Sequence, residues 1–477
     1  MIKAKDFRKV GRRIQVPFLL PLNRGEDPVL CEEVLRVVPG KRVAFKGEWK
    51  NREVFVKLFF KRFGARRHVR RELSGYNTLC TIGLPTPKLL HVCEKSDEDL
   101  GIILFEYIKG AVTLADLVQV PSTESNAIDL VYECVNIIAK MHERGILHLD
   151  PHLGNFLVIG DKVVITDCAS IAIGSTSSKG AFKNLAYYLA QLPWDEEDRY
   201  KMLISHYLEE RNLSSTNVEN EYILKYIRRH QERMLKKYRK KLFRESSQIG
   251  CNRSFWEVTY YKRAFFDKES DVHRLIKDAL YQKETVIIKN GRTSTVFIVQ
   301  HRGRSFVVKR YNIKTLWHGL RKAFMRSRAS KSWENSHLLK RLGIATPTPV
   351  AMIEERIGPL RRTAYFVYEY VDGIEAHTFF KGKNGNDCEE IVRELVELLG
   401  RLYKNRILHG DTKASNFIVT NQGIYVVDLD AMKVRANRAI FRLKQRKEVA
   451  RFLKNWNGND PVRLFIKRLV TEKFVQG

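Results

Sequence analysis

The stretch His409-Gly410-Asp411-Thr412-Lys413-Ala414-Ser415-Asn416, closed after a short apolar run by Val426-Val427-Asp428-Leu429-Asp430, decides how the chain is read. An Asp and an Asn five residues apart, then an acidic residue behind a β-like run, form a set with distinct duties. One carboxylate can orient an attacking hydroxyl, while the amide and the second carboxylate can hold a divalent cation. The same set stands earlier as His148-Leu149-Asp150-Pro151-His152-Leu153-Gly154-Asn155, with Asp167 behind it. The offset is 261 in both cases (411 less 150, and 428 less 167). One H-x-D-x4-N arises easily by chance, but two at a single offset do not.

Working outward, each copy is preceded by the same order of elements. Arg42–Lys46 and Val54–Phe59 alternate as strands, with Lys57 inside the second, and a basic helical stretch then carries Glu72. A strand lysine also suits a solvent-facing position, but a helix Glu in reach would fix its ammonium on a nucleotide's phosphates. Gly101 to Gly110 reads as a buried strand ending in a turn at Glu106-Tyr107-Ile108-Lys109-Gly110, whose backbone could read a base edge. Between Val43 and Glu53 only Gly47 offers a turn residue. An amphipathic helix from Asp129 to Gly145 leads into the first loop, and a hairpin turning at Gly160-Asp161 leads to Asp167.

After Gly250 the order restarts. Asn290-Gly291-Arg292-Thr293-Ser294 can fold as a turn over phosphates, Lys309 repeats the strand lysine, and Glu334 follows in a basic helix. Glu369 heads a second E-Y-x-x-G turn, and an apolar-striped helix through Leu402 enters the second loop. Two tandem modules follow, with the boundary expected at 250/251, giving domains of residues 1–250 and 251–477.

Composition restricts the partners. With 85 Lys and Arg against 54 Asp and Glu, the net charge of +31 predicts an anionic partner: nucleic acid, an anionic bilayer surface or a phosphorylated substrate. The seven cysteines contain no C-x-x-C, so neither a disulfide framework nor a zinc site is indicated. No secretory h-region and no apolar run of membrane-spanning length appears. A cytoplasmic protein, peripheral on a membrane through charge, is expected. The basic run from Lys225 to Arg244 is either a solvated helix face or a bilayer- or phosphate-facing patch.

The order Lys, Glu, E-Y-x-x-G, H-x-D-x4-N, D resembles the protein-kinase-like superfamily, and Val427-Asp428-Leu429-Asp430 is similar to the D-x-D of its lipopolysaccharide core kinases of the heptose and Kdo kinase type. The likeness covers residues 29–245 and 280–475. It implies an α+β fold of two tandem bilobal protein-kinase-like domains, each with a small β-rich N-lobe and a helical C-lobe, using ATP and Mg2+.

By the same resemblance, Asp411 and Asp150 orient the acceptor hydroxyl. Lys309 with Glu334, and Lys57 with Glu72, hold the nucleotide phosphates; Glu369 and Glu106 flank the base. Asn416 with Asp428, and Asn155 with Asp167, hold magnesium. Asp430 assists metal or acceptor, His152 resembles a loop His of the sugar kinases, and Lys413 is either a phosphate-stabilising or a solvated lysine. Leu149 in place of Gly410, and Cys168-Ala169-Ser170 after Asp167, make the first module the more degenerate copy. The implied activity is phosphorylation of heptose or Kdo hydroxyls of the lipopolysaccharide inner core at the cytoplasmic face of the inner membrane. The implied partners are the core and lipid A acceptor and the anionic membrane surface, without nucleic acid. A RIO-like Ser/Thr protein kinase and a tandem pseudokinase scaffold remain open alternatives.

Overall fold

The computed structural model describes residues 4–12, 14–61, 64–94, 96, 99–118, 124–174, 177–193, 197–214, 217–281, 285–312, 326–383, 388–435, 437–456 and 461–474. Contacts divide it into two units, Met1–Met234 and Leu235–Gly477. The division falls inside the helix Asn217–Lys241 and not at 250/251. Packing explains the difference: Leu242 and Ile249 are buried with Trp333, Tyr260 and Met352, so the residues around them condense with the second unit's sheet.

In the first unit, six antiparallel strands form one sheet in the spatial order Phe18–Leu20, Val29–Val38, Arg42–Trp49, Arg52–Phe59, Gly101–Glu106, Leu89–Cys93. Alternation places Val54, Val56 and Leu58 on one face, fully buried with Phe45 and Leu104, and sends Lys57 to the other. There the helix Ala65–Thr81 packs, burying Val69 against Phe59, Ile103 and Phe105. The helices Glu124–Glu143, Ser178–Leu189 and Glu197–Glu210 build the second layer, around Val131, Leu185, Ile204 and Phe156. A hairpin, Phe156–Ile159 with Lys162–Ile165, and a second antiparallel pair, Ile146–His148 with Ile171–Ile173, carry the loop residues on that layer.

The second unit has a seven-stranded sheet ordered Ile249–Arg253, Glu257–Lys262, Pro349–Ile357, Leu360–Glu369, Arg304–Tyr311, Ser294–His301, Val286–Asn290. The helix Arg328–Arg341 follows the lysine strand, and the helices Glu389–Lys404, Arg438–Leu453 and Pro461–Phe474 surround Leu395, Phe417 and Phe452. Both units therefore show the expected β-rich half followed by a helical half. Among the described residues, no helix is long and apolar enough to cross a membrane.

Candidate active site

In the first unit the expected residues come together. The Lys57 ammonium lies 2.5 Å from Glu72 Oε1 and 3.7 Å from Asp167 Oδ1. Glu72 is fully buried, and the backbone amide of Cys168 donates to the same Oε1 at 3.0 Å. Asp167 has left-handed backbone (φ 60°), which turns its carboxylate away from the hairpin and towards the lysine. Burial works to raise that carboxyl, but Lys57 and Arg42 outweigh it and hold it below its ordinary value, so Asp167 is ionised. Arg42, 3.5 Å from Asp167, was not singled out from sequence.

The loop is organised by its asparagine. Asn155 Nδ2 donates to the Asp150 carbonyl at 3.0 Å, which commits the amide nitrogen to the loop, so a cation could meet this side chain only through Oδ1. The Asp150 carboxylate is exposed and accepts from the Tyr187 hydroxyl at 3.1 Å. Tyr187 lies outside every motif, and only folding brings it to the loop. A cleft of about 370 Å3 is lined by Lys57, Glu72, Glu106, Asn155 and Asp167 with the apolar Val43, Ala44, Phe105 and Leu157. Polar groups at one end and an apolar sleeve are what a nucleotide with phosphates and a base would meet. The amides of Glu106 and Tyr107 donate to Lys88 and Glu53 carbonyls, so neither is the amide that would meet a base.

The turn over this cleft is corrected. Gly47 lies inside the strand Arg42–Trp49, where a Cβ would stand 2.1 Å from the Leu30 carbonyl oxygen. The hairpin preceding the lysine strand's partner turns instead at Pro39-Gly40-Lys41, with Gly40 at φ +69°. That Pro-Gly pair was legible as a turn signal.

In the second unit one expected pair is absent. Lys309, buried, binds Asp428 Oδ1 at 2.5 Å, but Glu334 does not hold it. Glu334 is also buried and instead pairs with Arg239 and Arg326. Helix geometry accounts for the error: Ser332 and Glu334, two residues apart, face opposite sides of Arg328–Arg341. The side towards Lys309 carries Ser332, whose Oγ meets the Tyr311 hydroxyl at 2.9 Å, and the Lys309 ammonium lies 5.3 Å from that tyrosine's ring centre. Arg239 belongs to the basic run read as a solvated or membrane-facing surface, so that run loses one of its charges to an internal pair.

Asp428 repeats the left-handed backbone (φ 59°), and Lys309 overcomes burial to hold its carboxyl below the ordinary value. Asn416 Nδ2 donates to the Asp411 carbonyl at 2.8 Å, and the Lys413 ammonium lies 3.4 Å from Asp411 Oδ2. The amides of His409 and Gly410 donate to Glu448 at 3.0 and 2.7 Å, and Arg451 donates to the Gly410 carbonyl at 2.9 Å. His409 donates from Nε2 to the Val427 carbonyl (3.0 Å) and accepts the Asp411 amide on Nδ1 (3.3 Å); His148 Nδ1 likewise accepts from the Asp150 amide at 3.2 Å. His152 accepts from the Gly154 amide at 3.0 Å, capping the turn at Leu153–Asn155. Glu369 ends its strand 3.8 Å from Arg304, and the turn at Gly291 is closed by its amide on the Ser294 carbonyl at 3.0 Å. Asp430 is held by Arg328, another residue the sequence reading passed over.

Parts of the chain resemble known proteins. Residues 279–465 match the lipopolysaccharide kinase (Kdo/WaaP) family, and residues 68–183 match the lipopolysaccharide core biosynthesis protein (WaaY) family. A CTD kinase subunit alpha of Saccharomyces cerevisiae is 27% identical over 94 residues, 19% of this chain and 18% of that protein. The structure of WaaP in complex with acyl carrier protein superposes with a TM-score of 0.33 at 19% identity, over 42% of this chain and 88% of that one. Residues 279–465 thus resemble the lipopolysaccharide kinase (Kdo/WaaP) family, and residues 68–183 resemble the lipopolysaccharide core biosynthesis protein (WaaY) family.

Proposed function

We propose that this protein is a kinase that transfers the terminal phosphoryl group of ATP to a sugar hydroxyl, heptose or Kdo, of the lipopolysaccharide inner core. It would work at the cytoplasmic membrane face, where its charge of +31 favours anionic lipid and phosphorylated lipid A. The carrying observation is the loop geometry common to both units: an asparagine locked through Nδ2 to the preceding Asp, opposite an ionised Asp that salt-bridges a strand lysine.

Asp411 and Asp150 are assigned to orienting the acceptor hydroxyl. Asp150 is exposed and Asp411 half-buried, both within reach of an acceptor, and Lys413 and Tyr187 fix their carboxylates. Oxygen donors from Asn416 with Asp428, and from Asn155 with Asp167, suit Mg2+, a hard cation that takes carboxylate and amide oxygens. Bound there, the metal would neutralise charge on the transferring group. Because phosphoryl transfer passes through a loose transition state, positioning and charge matter more than base strength. Lys309 and Lys57 supply fixed positive charge, and the apolar walls by Val43, Phe105 and Leu157 exclude water from the first unit's cleft. Both units are assigned nucleotide sites, the second on the strength of its intact D-x-D.

The test is phosphate transfer from labelled ATP to dephosphorylated core lipopolysaccharide, with a generic protein acceptor alongside. Core should be labelled and protein not; the reverse would overturn the reading. Asp411→Asn and Asp150→Asn should each lower transfer about 10²- to 10⁴-fold at the site of their own unit. Loss on Asp411→Asn alone would reduce the first unit to a supporting role.

A further inference from the structure

In the second unit the helix after the lysine strand reaches the D-x-D with an arginine, whereas in the first unit it reaches the lysine with Glu72. Arg328, in the first turn of Arg328–Arg341, places Nε 2.8 Å and Nη2 2.7 Å from Asp430 Oδ2. Its Nη1 reaches the Thr293 carbonyl at 3.5 Å, in the turn that closes Val286–Asn290 onto Ser294–His301. Its guanidinium carbon lies 4.9 Å from the centre of the Tyr311 ring, the same ring that lies 5.3 Å from the Lys309 ammonium. Two cations and two acids are thus gathered around one tyrosine, paired as Lys309 with Asp428 and Arg328 with Asp430.

Three features suggest more than a structural tie. The guanidinium is tethered at both ends, to the second acid of the D-x-D and to the turn backbone, so its orientation is already set. The side chain keeps 37% exposure, whereas Lys309 keeps 8%, so a ligand under the turn can reach it. A planar fork also grips phosphate through paired donors, which an ammonium cannot do. The first unit solves the same problem differently: Arg42, at the start of the strand after its own turn, stands 3.5 Å from Asp167, while Glu72 anchors the lysine.

We propose that Arg328 is a second phosphate-binding cation of the second unit, held in place by Asp430. Asp430 is then the arm that aims the arginine, and Asp428 with Asn416 remains the metal pair. This rests on the second unit being a nucleotide site, so the experiment separates the two claims.

MgATP and adenosine are titrated by fluorescence against the full chain carrying Asp167→Asn, which disables the first unit's metal site. Arg328→Gln should weaken MgATP about tenfold, leave adenosine within about twofold and leave the melting temperature near that of the parent; Arg328→Lys should recover part of the loss. Asp430→Asn should reproduce the Arg328→Gln pattern. Equal weakening of both ligands with a lower melting temperature would overturn the proposal and make Arg328 a structural residue. If Lys309→Met abolishes MgATP binding while Arg328→Gln leaves it unchanged, the proposal falls but the nucleotide site stands. If neither substitution matters, both fall.

Discussion

The two units carry one side-chain vocabulary but tie it together differently. In the first, the lysine of the strand, the glutamate of the helix and the left-handed aspartate converge, with Lys57 between Glu72 and Asp167. In the second, Lys309 depends on Asp428, while Glu334 is turned away to Arg239 and Arg326. Sequence pointed the other way, to the second module as the more intact, because it has Gly410 and the D-x-D. The lesson is that motif completeness and geometric completeness are separate properties. A loop motif is local and survives as a string, whereas a helix–strand ion pair needs the helix to present the right face.

The strongest way to break this contrast is to remove each helix glutamate. Glu72→Gln should destabilise the first unit by about 3–5 kcal/mol, because Lys57 and the Cys168 amide lose a buried partner. It should also remove nucleotide binding there. Glu334→Gln should cost about 1 kcal/mol, since Arg239 and Arg326 are 40% and 44% exposed and solvent takes over their charge. Nucleotide affinity of the second unit should not change. Urea unfolding and ligand titration check both; equal losses would mean that the glutamates do the same work after all.

Acid should separate the units next. His142 is buried between the Tyr207 hydroxyl (2.7 Å) and Asn184 (3.0 Å), and Asn184 in turn donates to the His148 carbonyl at 2.8 Å. Burial pushes its pKa from 6.5 down to about 4. The unfolded chain therefore takes up the proton first, so stability is complete above pH 6.5 and falls as pH drops towards 4, by up to about 3 kcal/mol. His142→Gln should flatten that slope in denaturation measured from pH 7 to 4, and loosening should reach the Asp150 loop. His337 is pushed lower, to about 3, by burial, but it packs on Trp333 and Tyr238, away from the second unit's loop. Its titration should cost stability without a comparable effect on that loop.

The smallest effect sharpens the loop difference. Gly410 has φ +84°, and a Cβ there would stand 2.6 Å from the Ala431 carbonyl oxygen, so Gly410→Ala should cost about 1–3 kcal/mol. Leu149 points its side chain into solvent at 58% exposure, so Leu149→Ala should stay within about 0.5 kcal/mol. Thermal melts of the two variants suffice. The departure that made the first module look degenerate is thus tolerated because Leu149 does not take the left-handed φ of Gly410.

Much of the site was legible. Asp150, Asn155 and Asp167, like Asp411, Asn416 and Asp428, were placed by spacing alone, because a tight loop and a two-strand hairpin fix their mutual distance within a few residues. The residues passed over act from afar: Tyr187 on Asp150, Glu448 beneath His409 and Gly410, Arg328 on Asp430 and Arg42 on Asp167. Each is an ordinary polar residue on its own helix or strand, and nothing local marks the loop it will meet.

By itself the sequence determined the order of elements, the lysine strands, the two loops and the hairpins behind them, since all follow from periodicity, turn residues and short-range spacing. Tertiary structure alone decided which glutamate meets its lysine, where the chain divides, and which arginines enter the sites. Those outcomes depend on helix rotation and on packing between segments tens of residues apart, for which a pattern read along one strand of text holds no distance.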